Sequence, residues 1–226
     1  MNIYIIFFLI AGITYYVQYS FQRKFKKYSR IPLNSQMTGK DVAIKMLHDN
    51  GIYDVRVQST SGSLTDHYNP TNHTVNLSES VYASRSVAAA AVAAHECGHA
   101  VQHAVAYGPL TMRSALVPVV SFASNIMSWI LLAGILMVET FPGLLLVGIG
   151  LFALTTLFAF VTLPVEIDAS RRATAWLRSA GITTTRDHGM AVSALRSAAY
   201  TYVVAALSSL ATLLYYVMIY LGRDRD

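Results

Sequence analysis

A single cysteine, Cys97, stands in the whole chain, which leaves no intrachain disulfide framework and no metal site built of thiolates alone. Charge is equally scarce. Asp, Glu, Lys and Arg make up 13% of the residues against 54% hydrophobic ones, and the mean hydropathy is +0.43. That balance excludes an ordinary soluble enzyme and points to an integral membrane protein. The net charge of +5 is not gathered into a dense basic patch interleaved with stacking aromatics, so no nucleic-acid partner is expected. There is no internal repeat, and no low-complexity segment beyond one alanine run. Cys97 itself is a small helix residue within a motif, not a ligand.

What the chain has in quantity is long apolar runs. The first, Ile3 to about Tyr19, is just long enough to cross a bilayer and is followed at once by Arg23, Lys24, Lys26 and Lys27. No basic residue precedes it and no small-residue cleavage site follows, so it reads as an anchor with its C-terminal side in the cytoplasm. Further spans are expected over Ala115–Val138, Gly143–Leu163 and Tyr200–Leu221, with Glu139-Thr140-Phe141-Pro142 as an external turn. In that topology 15 of the 17 basic residues lie on the cytoplasmic side. The remaining two, Arg223 and Arg225, are offset by Asp224 and Asp226.

The chain thus divides into five parts. Residues 1–21 form an N-terminal anchor, and 22–114 a cytoplasmic portion. Residues 115–164 form a transmembrane hairpin, 165–199 a second cytoplasmic portion, and 200–226 a C-terminal span. Within the first cytoplasmic portion Thr38 caps a helix that Gly51 terminates. Tyr53–Val57 alternates as a strand. Leu64–Tyr68 and His73–Leu77 flank the turn formers Asn69-Pro70-Thr71-Asn72 as a hairpin. Ser84 or Ser86 then opens a long helix, expected to run to Tyr107 and stop at Gly108-Pro109.

That helix carries His95-Glu96-Cys97-Gly98-His99. Two histidines four residues apart lie on one helix face and can take two corners of a zinc tetrahedron. Glu96 reaches the metal's water without being a ligand and can take its proton. Only eight apolar residues, Val87–Ala94, precede His95, too few to span, so the helix belongs to a compact core packed by small residues. His67, His73, His48 and His188 read as ordinary hairpin or surface histidines.

A catalytic zinc commonly has three protein ligands. The third is assigned to Glu166, in Leu163-Pro164-Val165-Glu166-Ile167-Asp168-Ala169-Ser170-Arg171-Arg172-Ala173. Pro164 is expected to start a new helix there, with Ala169, Ser170 and Ala173 on the same side as Glu166, small enough for close packing. Asp168, on another side, either pairs with Arg171 or Arg172 or accepts a hydrogen bond from a ligand histidine. His103 is set aside, because a straight helix places it about 12 Å from His95. No glycine turn between His99 and His103 brings it closer.

Together, Leu64–Pro70, Val75–Glu79, VAAHECGHAVQ and LPVEIDASRRA resemble the bacterial neutral zinc metallopeptidases of the YugP-like membrane family over nearly the whole chain. More distantly the third-ligand region resembles membrane metallopeptidases of the HtpX and CAAX-protease type, which place Glu-x-x-Ala-Asp after two spans. Here Glu166 and Ala169 match, and Ser170 replaces the aspartate. The resemblance implies a zinc-dependent peptidase of a bacterial cytoplasmic membrane.

The expected fold is therefore a mainly α integral membrane protein. About four transmembrane helices carry a cytoplasmic, zincin-like α+β portion. The expected function is a membrane-bound zinc endopeptidase with an HExxH-plus-glutamate, gluzincin-like centre. His95, His99 and Glu166 hold Zn2+ and Glu96 is the catalytic base, acting on a peptide or membrane-protein substrate at the cytoplasmic face. The hairpin strand His73–Leu77 is expected to bind substrate by strand addition. Two rivals remain. One is a site-2-type intramembrane protease, against which stands the lack of an LDG-like motif. The other is a non-enzymatic, zinc-stabilised membrane adaptor, which requires a closed site of four protein ligands.

Overall fold

The computed structural model describes residues 3–222, with side chains described from residue 7 onward. In chain order the elements are α1 (Ile3–Tyr28), α2 (Gly39–Asp49), β1 (Arg56–Thr60), β2 (His67–Asn69), β3 (Thr74–Ser78) and α3 (Glu79–Tyr82). They continue with α4 (Val87–Ala104), α5 (Gly108–Leu136), α6 (Pro142–Ser179) and α7 (Thr185–Gly222).

Local chemistry sets several of these boundaries. Thr38 and Asp41 form a reciprocal capping box at the start of α2, and Gly51 follows its end at φ +73°. Ser86 caps α4 by accepting the Ala89 N–H at 3.2 Å. The motif helix is shorter than expected. It ends at Ala104, Ala106 takes a positive φ of 49°, and Gly108-Pro109 opens α5 instead of merely closing α4. Proline suits a first helical turn, where its missing N–H costs nothing.

Among the described residues three helices, α5, α6 and α7, are long and apolar enough to cross a membrane. Their outer faces expose Phe122, Trp129, Leu136, Val147, Leu157 and Leu207, as a lipid-facing surface does. The expected spans Gly143–Leu163 and Tyr200–Leu221 are the apolar parts of longer helices. Pro164 does not begin a new helix, because α6 continues through it to Ser179. A mid-helix proline removes one hydrogen bond and ordinarily costs about 3 kcal/mol, so tertiary packing against α4, α5 and α7 outweighs it. As a result Glu166 is carried on a rod that starts at Pro142. Arg223–Asp226, the expected offsetting charges, lie outside the described residues.

The sheet is small and mixed, in the order β1-β3-β2. The expected hairpin is present as antiparallel β2 and β3, with Tyr68 opposite Val75. The expected strand at Tyr53–Val57 lies three residues later, at Arg56–Thr60, and pairs parallel to β3. Strand β3 is therefore central and buried along its length. Both of its edges are already hydrogen-bonded, which overturns the expectation that His73–Leu77 adds a substrate strand.

Helix α4 fills the core beneath this sheet. Ala88 to Ala91, Ala93 and Ala94 are essentially inaccessible, and all but Ala88 pack with Val42, Leu47, Leu77, Leu177 and Leu195 from α2, β3, α6 and α7. The alanine run serves close helix packing and is not a span. A second apolar cluster of Leu131, Leu145 and Ile149 ties α5 to α6.

Candidate active site

Helix α4 projects His95 and His99 from one face with ring centroids 4.8 Å apart. Helix α6 brings Glu166 to meet them. Its Oε2 lies 3.2 Å from His95 Nε2 and 3.7 Å from His99 Nε2. One donor atom from each of the three residues falls within 4.8 Å of the others. Zinc bonds of about 2.0–2.2 Å in a tetrahedron separate the donors by roughly 3.4 Å, so the two separations bracket what zinc requires. The donor set, two imidazole nitrogens and one carboxylate oxygen, also suits zinc.

The hydrogen bonds behind the ligand atoms favour metal binding as well. Gln102, fully buried, donates through Nε2 to the Val165 carbonyl at 2.8 Å and to Asp168 at 2.9 Å. Its Oε1 is thus the acceptor facing His99 Nδ1 at 3.0 Å. His99 must donate through Nδ1, which leaves the Nε2 lone pair for a metal. Ser170 Oγ lies 3.1 Å from His95 Nδ1, within hydrogen-bond reach of the other imidazole. Arg172 pairs with Asp168. Of the two roles expected for Asp168, it therefore takes the pairing, and it reaches His99 only through Gln102. Arg113 from α5 approaches the second oxygen of Glu166 at 3.6 Å. Burial alone would lower the basicity of His99, but hydrogen bonding to Glu166 and the nearby Glu96 charge raise its pKa above the ordinary histidine value.

Glu96 stands apart from the three donors. It is nearly buried, and its Oε2 accepts the backbone N–H of Tyr68, on β2, at 3.1 Å. This contact locks the carboxylate beside the donors without using it as one. His103 is also outside the donor group. Its Nδ1 lies 2.8 Å from the Tyr68 hydroxyl, as expected for a polar neighbour of the site.

The meeting of α4 and α6 depends on one close approach. A Cβ on Gly98 would lie 2.7 Å from the Ala169 carbonyl oxygen. Glycine at 98 and alanines at 169 and 173, both inaccessible, let the backbones touch one turn from Glu166. Two cavities open over the donors. One, of about 780 Å3, is lined by His67, Thr71, His103 and Arg113 together with apolar groups such as Leu110 and Val117. The other is about 310 Å3 and largely apolar. His95, Glu96 and Glu166 face both.

Sequence reasoning singled out His95, Glu96, His99, Glu166 and Asp168, and the fold brings all five to this centre. It missed Gln102, although a position three residues after His99 shares that helix face. It also missed Arg113 and the Tyr68 N–H, for which only the tertiary fold carries a signal. Replacing Gln102 by Leu removes the orienting acceptor of His99. The expected outcome is a 10- to 100-fold weaker zinc affinity, on the order usual for such partners, read by competition with a fluorescent chelator.

A buried carboxylate thus meets a pair of helix-borne histidines, with a second glutamate held beside them. Residues 3–221 match the model of a family described as "putative neutral zinc metallopeptidase", and the chain belongs to that family. Among individual proteins it is similar to "Putative membrane protease YugP" of Bacillus subtilis, with 43% identity over 98% of this chain and 99% of the relative. No solved structure matches the chain.

Proposed function

We propose that the protein is a membrane-bound zinc endopeptidase whose centre is His95, His99 and Glu166, with Glu96 as general base and then general acid. The observation that carries this reading is the convergence of three metal-type donors with an uncommitted glutamate beside them. Zinc held there would polarise the scissile carbonyl and bring the pKa of a water down towards about 7. Glu96 takes a proton from the attacking water and delivers it to the leaving amine. Gln102 holds the His99 imidazole in the tautomer that presents Nε2, and Ser170 is within hydrogen-bond reach of His95 Nδ1. Arg113 keeps the outer oxygen of Glu166 charge-balanced. The small sheet beside α4 gives a zincin-like arrangement in which β2, not β3, is the edge strand nearest the centre.

In this reading α1 is a fourth span. Phe7, Phe8 and Ile13 on it are exposed, and its basic residues follow at Arg23–Lys27. The distribution of Lys and Arg then puts α2 to α4 and the centre on the cytoplasmic face of a bacterial membrane. The helices long and apolar enough to span include α6 but not α4. Its inclusion in the core favours an interfacial protease over a site-2-type enzyme with HExxH inside the bilayer. Three donors rather than four among the described residues favour an open, catalytic site over the closed site of an adaptor.

The test is metal removal. Chelator-treated protein in detergent is expected to lose cleavage of casein and to regain it on adding one equivalent of zinc. Cleavage that persists once the zinc has been stripped contradicts the proposal.

A further inference from the structure

The first helix does more than anchor the chain. The smaller cavity has one wall from α1, with Phe21 and Phe25, and another from α7, with Leu195, Ala198 and Ala199, while Val92 of α4 forms its floor. Phe21 and Phe25 are one turn apart with ring centroids 6.2 Å apart, and so present a continuous aromatic face. That face is fixed in place. Helices α1 and α7 pack along one another, Tyr28 lies 3.4 Å from Ser193 through their hydroxyls, and Tyr28, Ala88 and Ala194 form a buried cluster. At about 310 Å3 the cavity is at the lower end of ligand-site sizes. It has room for a side chain and not for a folded segment.

The two cavities meet at the donors and differ in character. His95, Glu96, Glu166, Asp66 and Tyr202 line both. The smaller one is mostly aromatic and aliphatic, with Gln18, Ser170 and Thr201 among its walls. The walls of the larger carry His67, Thr71, His103, Arg113 and Ser114. A chain lying across the centre therefore has a narrow, mostly apolar chamber for one flank of the bond to be cut and a wider cleft carrying a cation and two further imidazoles for the other. Burying an apolar side chain there contributes about 1.5–3 kcal/mol.

We propose that the α1–α7 chamber is the specificity subsite, taking a large apolar side chain of the substrate peptide directly beside the scissile bond. This rests on the proteolytic reading above. The occupant is a residue of the chain being cut, because the chamber is continuous with the donors and with Glu96. Helix α1 is thereby a specificity element, with Phe21 and Phe25 as its contact residues and Ala198 and Ala199 setting the depth.

The experiment is cleavage-site mapping on a mixed peptide library with zinc-loaded protein in detergent, for the wild type, Ala198→Phe and Phe21→Ala. The wild type is expected to cut with a large apolar residue at one fixed position next to the broken bond. Ala198→Phe fills the chamber and should lower kcat/KM for those peptides about tenfold or more, moving the preference to glycine and alanine. Phe21→Ala enlarges it and should move the preference to bulkier side chains. Zinc content, which reports a folded centre, should stay at the wild-type level in both variants. Variants that keep the wild-type preference, or a wild type that cuts without preference at the flanking positions, would overturn the subsite while leaving the peptidase reading intact. A zinc-loaded wild type that cuts no peptide removes both.

Discussion

Glu96→Gln is expected to lower the rate of peptide-bond cleavage by about 10²–10⁴-fold, the usual worth of a positioned general base. The zinc content should not change, because Glu96 is not among the three donors. Glutamine has the same shape, and its amide oxygen can still accept the Tyr68 N–H that Glu96 accepts at 3.1 Å. The substitution thus removes the proton acceptor while preserving the contact that places it. Thermal unfolding and metal content serve as controls. Wild-type cleavage by this variant would remove Glu96 from the mechanism. Loss of zinc would mean that Glu96 helps to hold the metal, and the assignment of ligands would have to change.

The second large effect is expected at Gly98, which itself has no side chain to take part in proton transfer. A methyl group there would sit 2.7 Å from the Ala169 carbonyl oxygen and 3.1 Å from its Cα. Neither is the end of a flexible side chain, so α4 and α6 must move apart. Overpacking of this kind costs about 1–3 kcal/mol, set against a gain of about 0.5–1 kcal/mol from replacing a helical glycine. For Gly98→Ala the two come close to cancelling, and for Gly98→Val the cost prevails. The effect on the metal should exceed the effect on stability. A site must be held within about 0.5 Å to stay competent, and Glu166 is on α6 whereas the histidines are on α4. Both variants are expected to lose zinc, Gly98→Val completely. Gly189→Ala on α7 is the control, since nothing lies within 4 Å of its added Cβ. It should leave zinc content unchanged and raise the melting temperature slightly. Zinc retained at wild-type affinity in Gly98→Val would show that the helix contact does not set the ligand geometry.

The parts of this protein that were legible in its sequence are those fixed by near neighbours in the chain. The His95–Glu96–His99 spacing is a property of one helix turn. The Thr38–Asp41 box and the Ser86 cap are three-residue patterns, and both are present. Glu166 was within reach because a carboxylate at the end of an apolar run needs a partner, and the small residues at 169, 170 and 173 marked the packed side. Pro164 misled because its local meaning, a helix start, is overridden by packing along the whole of α6. The central position of β3 was not readable, since its parallel partner β1 lies well upstream and parallel pairing leaves no turn signal. The same limit hid Arg113 and the wall formed by α1. Both join the centre only through contacts between residues far apart in the chain. Ser170 stands where the more distant membrane metallopeptidases carry aspartate, and its hydroxyl lies 3.1 Å from His95 Nδ1.

The central claim is that two histidines and one glutamate hold a zinc ion. X-ray absorption at the zinc edge of the purified, zinc-loaded protein tests it most directly. The account predicts only nitrogen and oxygen neighbours, at about 2.0–2.2 Å, with outer-shell scattering from two imidazoles. It also predicts that Glu166→Ala loses the bound zinc. A third imidazole, which would bring in His103, or a sulfur neighbour at about 2.3 Å from Cys97, would contradict it.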